Sequence, residues 1–249
     1  MVRQRRIRKL YYLPGYVLIP LLLLAGFAAC GTSSTTLSSQ VRTAGRSNAI
    51  PAQRTLTYVA IGASDAFGIG TSDPDRQSWP SVLSTKLGQR VHLVNLGIPG
   101  ETMGDALKDE LPIAVDSHPD IVTVWLGVND INDHVSLSQY RSELTSLLST
   151  LRGRTHARVF VANIPDLSEL PFFAKMNRAT LLTQISEWNT AITSAVKSES
   201  AVLVDLTPYG SQLANHPEYL ASDGLHPSAI GAQHIAAVFA QTIRSAGGA

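Results

Sequence analysis

Cysteine is nearly absent from this chain: Cys30 is the only one in 249 residues. No intrachain disulfide can form, and whatever folds downstream of Cys30 has no thiol at all. Its stability must come from an ordinary apolar core, which the roughly 195 residues after position 54 can supply as one domain. Acid is missing from the start of the chain, where Arg3, Arg5, Arg6, Arg8 and Lys9 stand without a counter-charge. Internal repeats are also missing, so a solenoid is excluded. Basic excess is missing where it would matter. The whole chain has 20 basic and 19 acidic residues, but eight of the basic ones lie in the first 54 positions, leaving 12 against 19 beyond them. A domain with that net negative charge lacks the basic patches that nucleic-acid binding depends on, and no nucleic-acid partner is expected.

The basic start is followed by an apolar run that includes Val17-Leu18-Ile19 and Leu21-Leu22-Leu23-Leu24 and ends at Phe27-Ala28-Ala29-Cys30. A basic region, an apolar region and small residues before a cleavage point describe a secretory signal peptide over residues 1–29. The cysteine directly after the small residues resembles the lipobox of bacterial lipoproteins, with Phe27 where that motif prefers Leu. The resemblance implies that Cys30 is lipidated and becomes the mature N-terminus, with the membrane as a partner through the lipid. The alternative is an uncleaved anchor, since Leu10 to Ala29 is 20 residues long, although Pro14 and Pro20 interrupt it. Either way the folded domain is expected outside the cytoplasm. Residues 30–54 are rich in Ser and Thr and poor in apolar residues, which reads as a tether reaching roughly 25 to 30 Å on average.

From Thr55 onward, short runs rich in Val and Ile alternate with helical patterns. Leu56 to Ile61, Val91 to Leu96, Ile121 to Leu126, Val159 to Ile164 and Ala201 to Leu206 are predicted strands, nearly continuous in apolar residues as strands buried on both faces are. Trp79 to Leu87, Leu137 to Leu151, Ala179 to Lys197 and Ser228 to Ser245 are predicted helices. This alternation predicts an α/β fold, a parallel sheet with helices on both faces, whose ligands bind beyond the carboxyl ends of the strands.

Polar residues with chemical capacity gather at that edge. Ser64, in Gly62-Ala63-Ser64-Asp65, follows the first predicted strand on a turn with glycines on both sides. It can be an exposed nucleophile or a helix N-cap. It is not the G-x-S-x-G elbow of α/β-hydrolases, because Ala66 stands where the second glycine would be. Gly97, in Asn95-Leu96-Gly97-Ile98-Pro99-Gly100, follows the second strand, and Asn129, in Gly127-Val128-Asn129-Asp130, follows the third. With the backbone N–H of Ser64 they can form an oxyanion hole, or they are a turn glycine and a loop cap. Asp223 and His226 lie three residues apart, just before the helix opened by Pro227-Ser228. That turn can bring the carboxylate to one imidazole nitrogen and leave the other facing the sheet edge; the plain alternative is a loop Asp and a surface His. No other histidine has an acid so placed, and His234, inside the last predicted helix, reads as packing or surface.

The four blocks, in this order, resemble the SGNH hydrolases, also called GDSL esterases and lipases, over about Thr55 to Ala246. The resemblance implies a flavodoxin-like three-layer sandwich with a five-stranded parallel sheet and a mechanism without metal or other cofactor. Ser64, His226 and Asp223 would be the catalytic residues, with Ser64, Gly97 and Asn129 forming the oxyanion hole. The substrate would be an ester: a lipid, an acylated sugar or a small ester. One departure stands out, since the family's first block reads Gly-Asp-Ser and this chain has Ala63 in place of the Asp, with Asp65 one position after the serine. The Asp65 side chain is expected to point elsewhere. The competing reading is a surface-tethered binding protein that keeps the fold without turnover.

Two other segments are less specific. Leu167 to Phe173 is apolar for a loop and either lines an acyl pocket or packs over the core. Asn129 to Asp133 is dense in oxygen ligands but lacks the glycine and terminal Glu of an EF-hand, so metal is not expected there.

Overall fold

A computed structural model describes residues 54–247. The expected signal peptide, Cys30 and the tether lie outside the described residues. Five Val- and Ile-rich runs form strands β1 (Leu56–Gly62), β2 (Val91–Asn95), β3 (Ile121–Trp125), β4 (Arg158–Ala162) and β5 (Val202–Val204). All pair in parallel, in the order β2-β1-β3-β4-β5. This is the flavodoxin-like order, and the α/β sandwich expected from the sequence is therefore the fold observed.

Helices α1 (Ser64–Phe67), α2 (Pro74–Gln77) and α3 (Trp79–Leu87) connect β1 to β2. Helices α4 (Met103–Asp109) and α5 (Leu111–Asp116) precede β3, while α6 (Val128–Asn132) and α7 (Leu137–Arg154) precede β4. Helix α8 (Arg178–Ser198) precedes β5, and α9 (Thr207–Gln212) and α10 (Ala229–Ser245) close the domain. Helix α10 packs on α3 at one face of the sheet, and α7 packs on α4 and α8 at the other. The reason is visible in α10, where Ala232, Ile235, Ala236, Phe239, Ala240 and Ile243 recur at helical spacing and are all buried. Trp79 opens α3 fully buried and stacks on Phe239 with ring centroids 4.6 Å apart. On the other face Tyr140 of α7 meets Trp188 of α8 at 4.4 Å. Among the described residues no helix is long and apolar enough to cross a membrane.

The sheet order determines where a site can form. From β1 the chain moves outward to β2, then crosses back to β3 on the other side of β1. Connections therefore diverge between β1 and β3, whose carboxyl ends lie side by side with Gly62 paired to Trp125. A crevice opens at such a switch point. Ser64 lies two residues past the end of β1, and Asn129 four residues past the end of β3.

Candidate active site

Ser64 is the first residue of the four-residue helix α1, and the N-cap position belongs to Ala63. The serine is therefore not used as a cap. Its Oγ lies 2.9 Å from His226 Nε2, across 162 residues of sequence. His226 Nδ1 lies 2.6 Å from Asp223 Oδ2. The other carboxylate oxygen, Asp223 Oδ1, accepts from the backbone N–H groups of Leu225 at 2.9 Å and His226 at 3.0 Å. Burial works to raise the Asp223 carboxyl, but hydrogen bonds from the His226 side chain and from these two N–H groups outweigh it and hold the acid below its ordinary value. An ionised Asp223 accepts a hydrogen bond from Nδ1–H, which leaves the Nε2 lone pair facing the Ser64 hydroxyl.

The loop that carries the pair is pinned at both ends. Ala221 N–H donates to the His226 carbonyl at 2.9 Å, and Ser228 N–H to the Tyr219 carbonyl at 2.8 Å. Ser228 then caps α10 by accepting from Gly231 N–H. Gly224, with φ of +69°, makes the turn between Asp223 and Leu225, and its carbonyl accepts from Phe172 N–H.

Of the two other predicted oxyanion donors, Asn129 lies on the cavity wall beside Ser64, whereas Gly97 packs against α1 and is not among the residues lining that cavity. Asn129 Nδ2 donates to the Glu101 carbonyl at 2.8 Å, which orients the side-chain amide and leaves its second N–H unassigned. Asn129 and Ser64 line the same cavity. Gly97 is a glycine because α1 passes so close: a Cβ there would fall 2.7 Å from Phe67 N and 2.8 Å from the Ala66 Cβ. Its N–H has an internal partner, Asn95 Oδ1, at a long 3.2 Å. Asn95 Nδ2 also donates to the Ala66 carbonyl at 2.7 Å, so this side chain, which sequence reasoning left without a role, ties the nucleophile turn to Gly97.

A cavity of about 80 Å³ adjoins Ser64 and His226. Its walls are mainly apolar, with Trp125, Leu167, Leu170, Leu213 and Leu225 among them. The Leu167 to Phe173 segment thus does both things expected of it: Leu167, Leu170 and Phe173 are buried in the core, and the two leucines also line the cavity. Asp65 is half-buried on the cavity wall, and desolvation pushes its carboxyl up to about 6 against hydrogen bonds from the backbone. The carboxylate of Asp130, in the oxygen-rich segment, is fully buried and faces the Met103 N–H at 3.0 and 3.2 Å rather than a solvent-open loop. Among the described residues no group of three His, Cys, Asp or Glu is placed to hold a metal ion. His234 is half-buried and stacks with Tyr219 at 5.0 Å.

Sequence reasoning missed two acids behind the nucleophile turn. Glu110, at the α4–α5 junction, is fully buried and accepts from Gly62 N–H at 2.9 Å through Oε2. Glu101 is buried as well, at 7% exposure. Glu110 sits in the run Lys108-Asp109-Glu110, which reads as an exposed polar face, so nothing in the sequence marked it.

The sequence pattern of the GDSL-like Lipase/Acylhydrolase family matches residues 60–234 of this chain. The chain is 29% identical to an arylesterase of Vibrio mimicus over 136 residues, 44% of this chain and 68% of that one. It is 23% identical to an acetylxylan esterase of Geobacillus stearothermophilus over 171 residues, 64% of this chain and 74% of that one. In fold it is similar to a lipase/acylhydrolase from Enterococcus faecalis, with a TM-score of 0.59 at 19% identity, covering 77% of this chain and 96% of that one. A family pattern that runs from within β1 into α10 takes in all four blocks, and the chain belongs to the GDSL-like lipase/acylhydrolase family as a serine hydrolase acting on ester bonds.

Proposed function

We propose that this enzyme hydrolyses carboxylic esters of short acyl chains through an acyl-enzyme on Ser64. The reading rests on one observation above the others: Ser64 Oγ, both nitrogens of His226 and the Asp223 carboxylate form an unbroken line of contacts at 2.9 and 2.6 Å. His226 Nε2 takes the Ser64 proton as Oγ adds to the ester carbonyl. The oxyanion is met by the backbone N–H groups of Ser64 and Gly97 and the second N–H of Asn129, with Gly97 released from its long bond to Asn95. Collapse of the tetrahedral adduct breaks the ester C–O bond, and the departing alcohol leaves with the proton from His226. Water, deprotonated by the same nitrogen, then attacks the acyl-enzyme, and Ser64 regains its proton.

A small cavity of about 80 Å³ with mainly apolar walls beside Ser64 supports a short acyl group. One of the relatives is an acetylxylan esterase, which agrees with an acetyl ester as substrate. Chromogenic esters from two to sixteen carbons test this. Rates are expected to be highest at two to four carbons and to fall steeply beyond about eight; a medium- or long-chain optimum would defeat the short-acyl reading.

We further propose that the domain works outside the cytoplasm, held to a membrane by a lipid on Cys30. The basic start, the apolar run and the position of the only cysteine support this. Cys30→Ser is expected to move the protein from the membrane fraction to the soluble one. Retention in the membrane would instead favour an uncleaved anchor.

A further inference from the structure

We infer that Glu110 is a positioning residue: paired with Glu101 through one shared proton, it locks the nucleophile turn to the oxyanion donor Asn129. The inference rests on the reading of Ser64 as nucleophile. Three contacts carry it. Glu110 Oε2 accepts from Gly62 N–H at 2.9 Å, two residues before Ser64. The Glu101 carbonyl accepts from Asn129 Nδ2 at 2.8 Å. The Asp130 carboxylate, next in sequence to Asn129, accepts from Met103 N–H at 3.0 Å and clamps the same segment a second time. A hydrogen bond between these two neighbouring carboxyl groups would thus be the middle link between the serine turn and the Asn129 amide.

A shared proton is what the burial demands. Glu101 Oε2 and Glu110 Oε1 are both buried, and as carboxylate oxygens neither would have a hydrogen-bond partner. One proton, held on Glu110 Oε1 and donated to Glu101, gives both oxygens a partner and removes one buried charge. Burial pushes Glu110 up to about 9, and the neighbouring charges of Glu101 and Asp65 act in the same direction. Burial raises Glu101 too, with Asp105 and Asp109 adding to it, while the hydrogen bond from Glu110 acts the other way. The proton therefore sits on Glu110, and no cation is among the groups that shift either acid. In the family's first block a carboxyl stands next to the nucleophile; here position 63 is Ala, and the carboxyl that reaches the turn comes from the α4–α5 junction instead.

Two variants separate this role from mere packing. Glu110→Gln keeps an acceptor for Gly62 N–H and a permanent donor toward Glu101, and so mimics the protonated acid at every pH. Glu110→Leu has similar bulk and neither group. The expected result for Glu110→Leu is a kcat lower by about 10- to 100-fold with KM nearly unchanged, the effect of a misplaced nucleophile. Wild-type kcat is expected to fall as pH rises through about 9, and Glu110→Gln should keep most of the neutral-pH kcat and lose that fall. Wild-type kcat in Glu110→Leu, or an alkaline fall that survives in Glu110→Gln, would overturn the inference. Should Glu110→Leu fail to fold, the pH profile of Glu110→Gln decides alone.

Thermal unfolding reads the proton without any substrate. The folded state keeps a proton that the unfolded chain gives up above about 4.5, so this group's contribution to stability is full below that pH and is lost as pH rises toward about 9. The melting temperature of Glu110→Gln should therefore rise relative to wild type across that window. Parallel curves would show that no proton is shared, even for a protein that hydrolysed none of the esters offered; an inert wild type with diverging curves would defeat the nucleophile reading and leave the shared proton standing.

Discussion

Ser64→Ala is expected to lower turnover of a short-chain chromogenic ester by about a millionfold, to the residual rate that binding and oxyanion donors provide. The size of the loss follows from what the hydroxyl does. With Oγ gone, His226 Nε2 has no proton to accept at 2.9 Å, and no covalent intermediate can form. The fold has little reason to change. Ser64 caps no helix, and its only side-chain hydrogen bond is the one to His226. The melting temperature should therefore stay within a few degrees of wild type, as for surface substitutions away from packing. Covalent labelling by a serine-directed phosphonate should vanish in parallel. If the variant kept more than about a hundredth of wild-type turnover, another residue would be the nucleophile, and the line from Ser64 to Asp223 would be structural.

Much of this site could be read before the structure, because its chemistry is carried by local blocks. Asp223-Gly224-Leu225-His226 is a turn whose hydrogen bonds close within four residues, so its geometry is nearly contained in its sequence. Helix Trp79–Leu87 has the predicted bounds, set by Ser78-Trp79-Pro80 at its start and Gly88 at its end. The five strands fall where apolar runs predict them, except that β5 is three residues long instead of six. It ends at Val204 because Asp205 turns aside to accept from Asn163 Nδ2 at 2.8 Å and Thr207 N–H at 3.0 Å. What could not be read depends on contacts between distant segments. Gly62 and Glu110 are 48 residues apart and meet only once β1 and the α4–α5 junction have packed. A glutamate in a polar run then becomes fully buried, and no period or motif announces it.

Asp223→Asn is expected to cost about ten-thousandfold in turnover while sparing the fold. Asp223 has two tasks, divided between its oxygens. Oδ1 accepts from the backbone N–H groups of Leu225 and His226, and an Asn carbonyl can take over that position unchanged. The amide nitrogen must then occupy the place of Oδ2, 2.6 Å from His226 Nδ1. An amide donates there, whereas the carboxylate accepted. Nδ1 becomes the acceptor, the ring proton moves to Nε2, and the nitrogen facing Ser64 can no longer act as a base. The loop keeps its shape and substrate binding is retained, so the loss should appear in kcat with KM little changed. Asp223→Ala provides the contrast, because it also removes the acceptor for two backbone N–H groups. It should lower thermal stability as well as rate, by about 1 to 2 kcal/mol for the loop contacts. Turnover by Asp223→Asn within about tenfold of wild type would mean that His226 is oriented by something other than this carboxylate. The tautomer is decided by a single proton between two atoms 2.6 Å apart, which leaves no room for such a result.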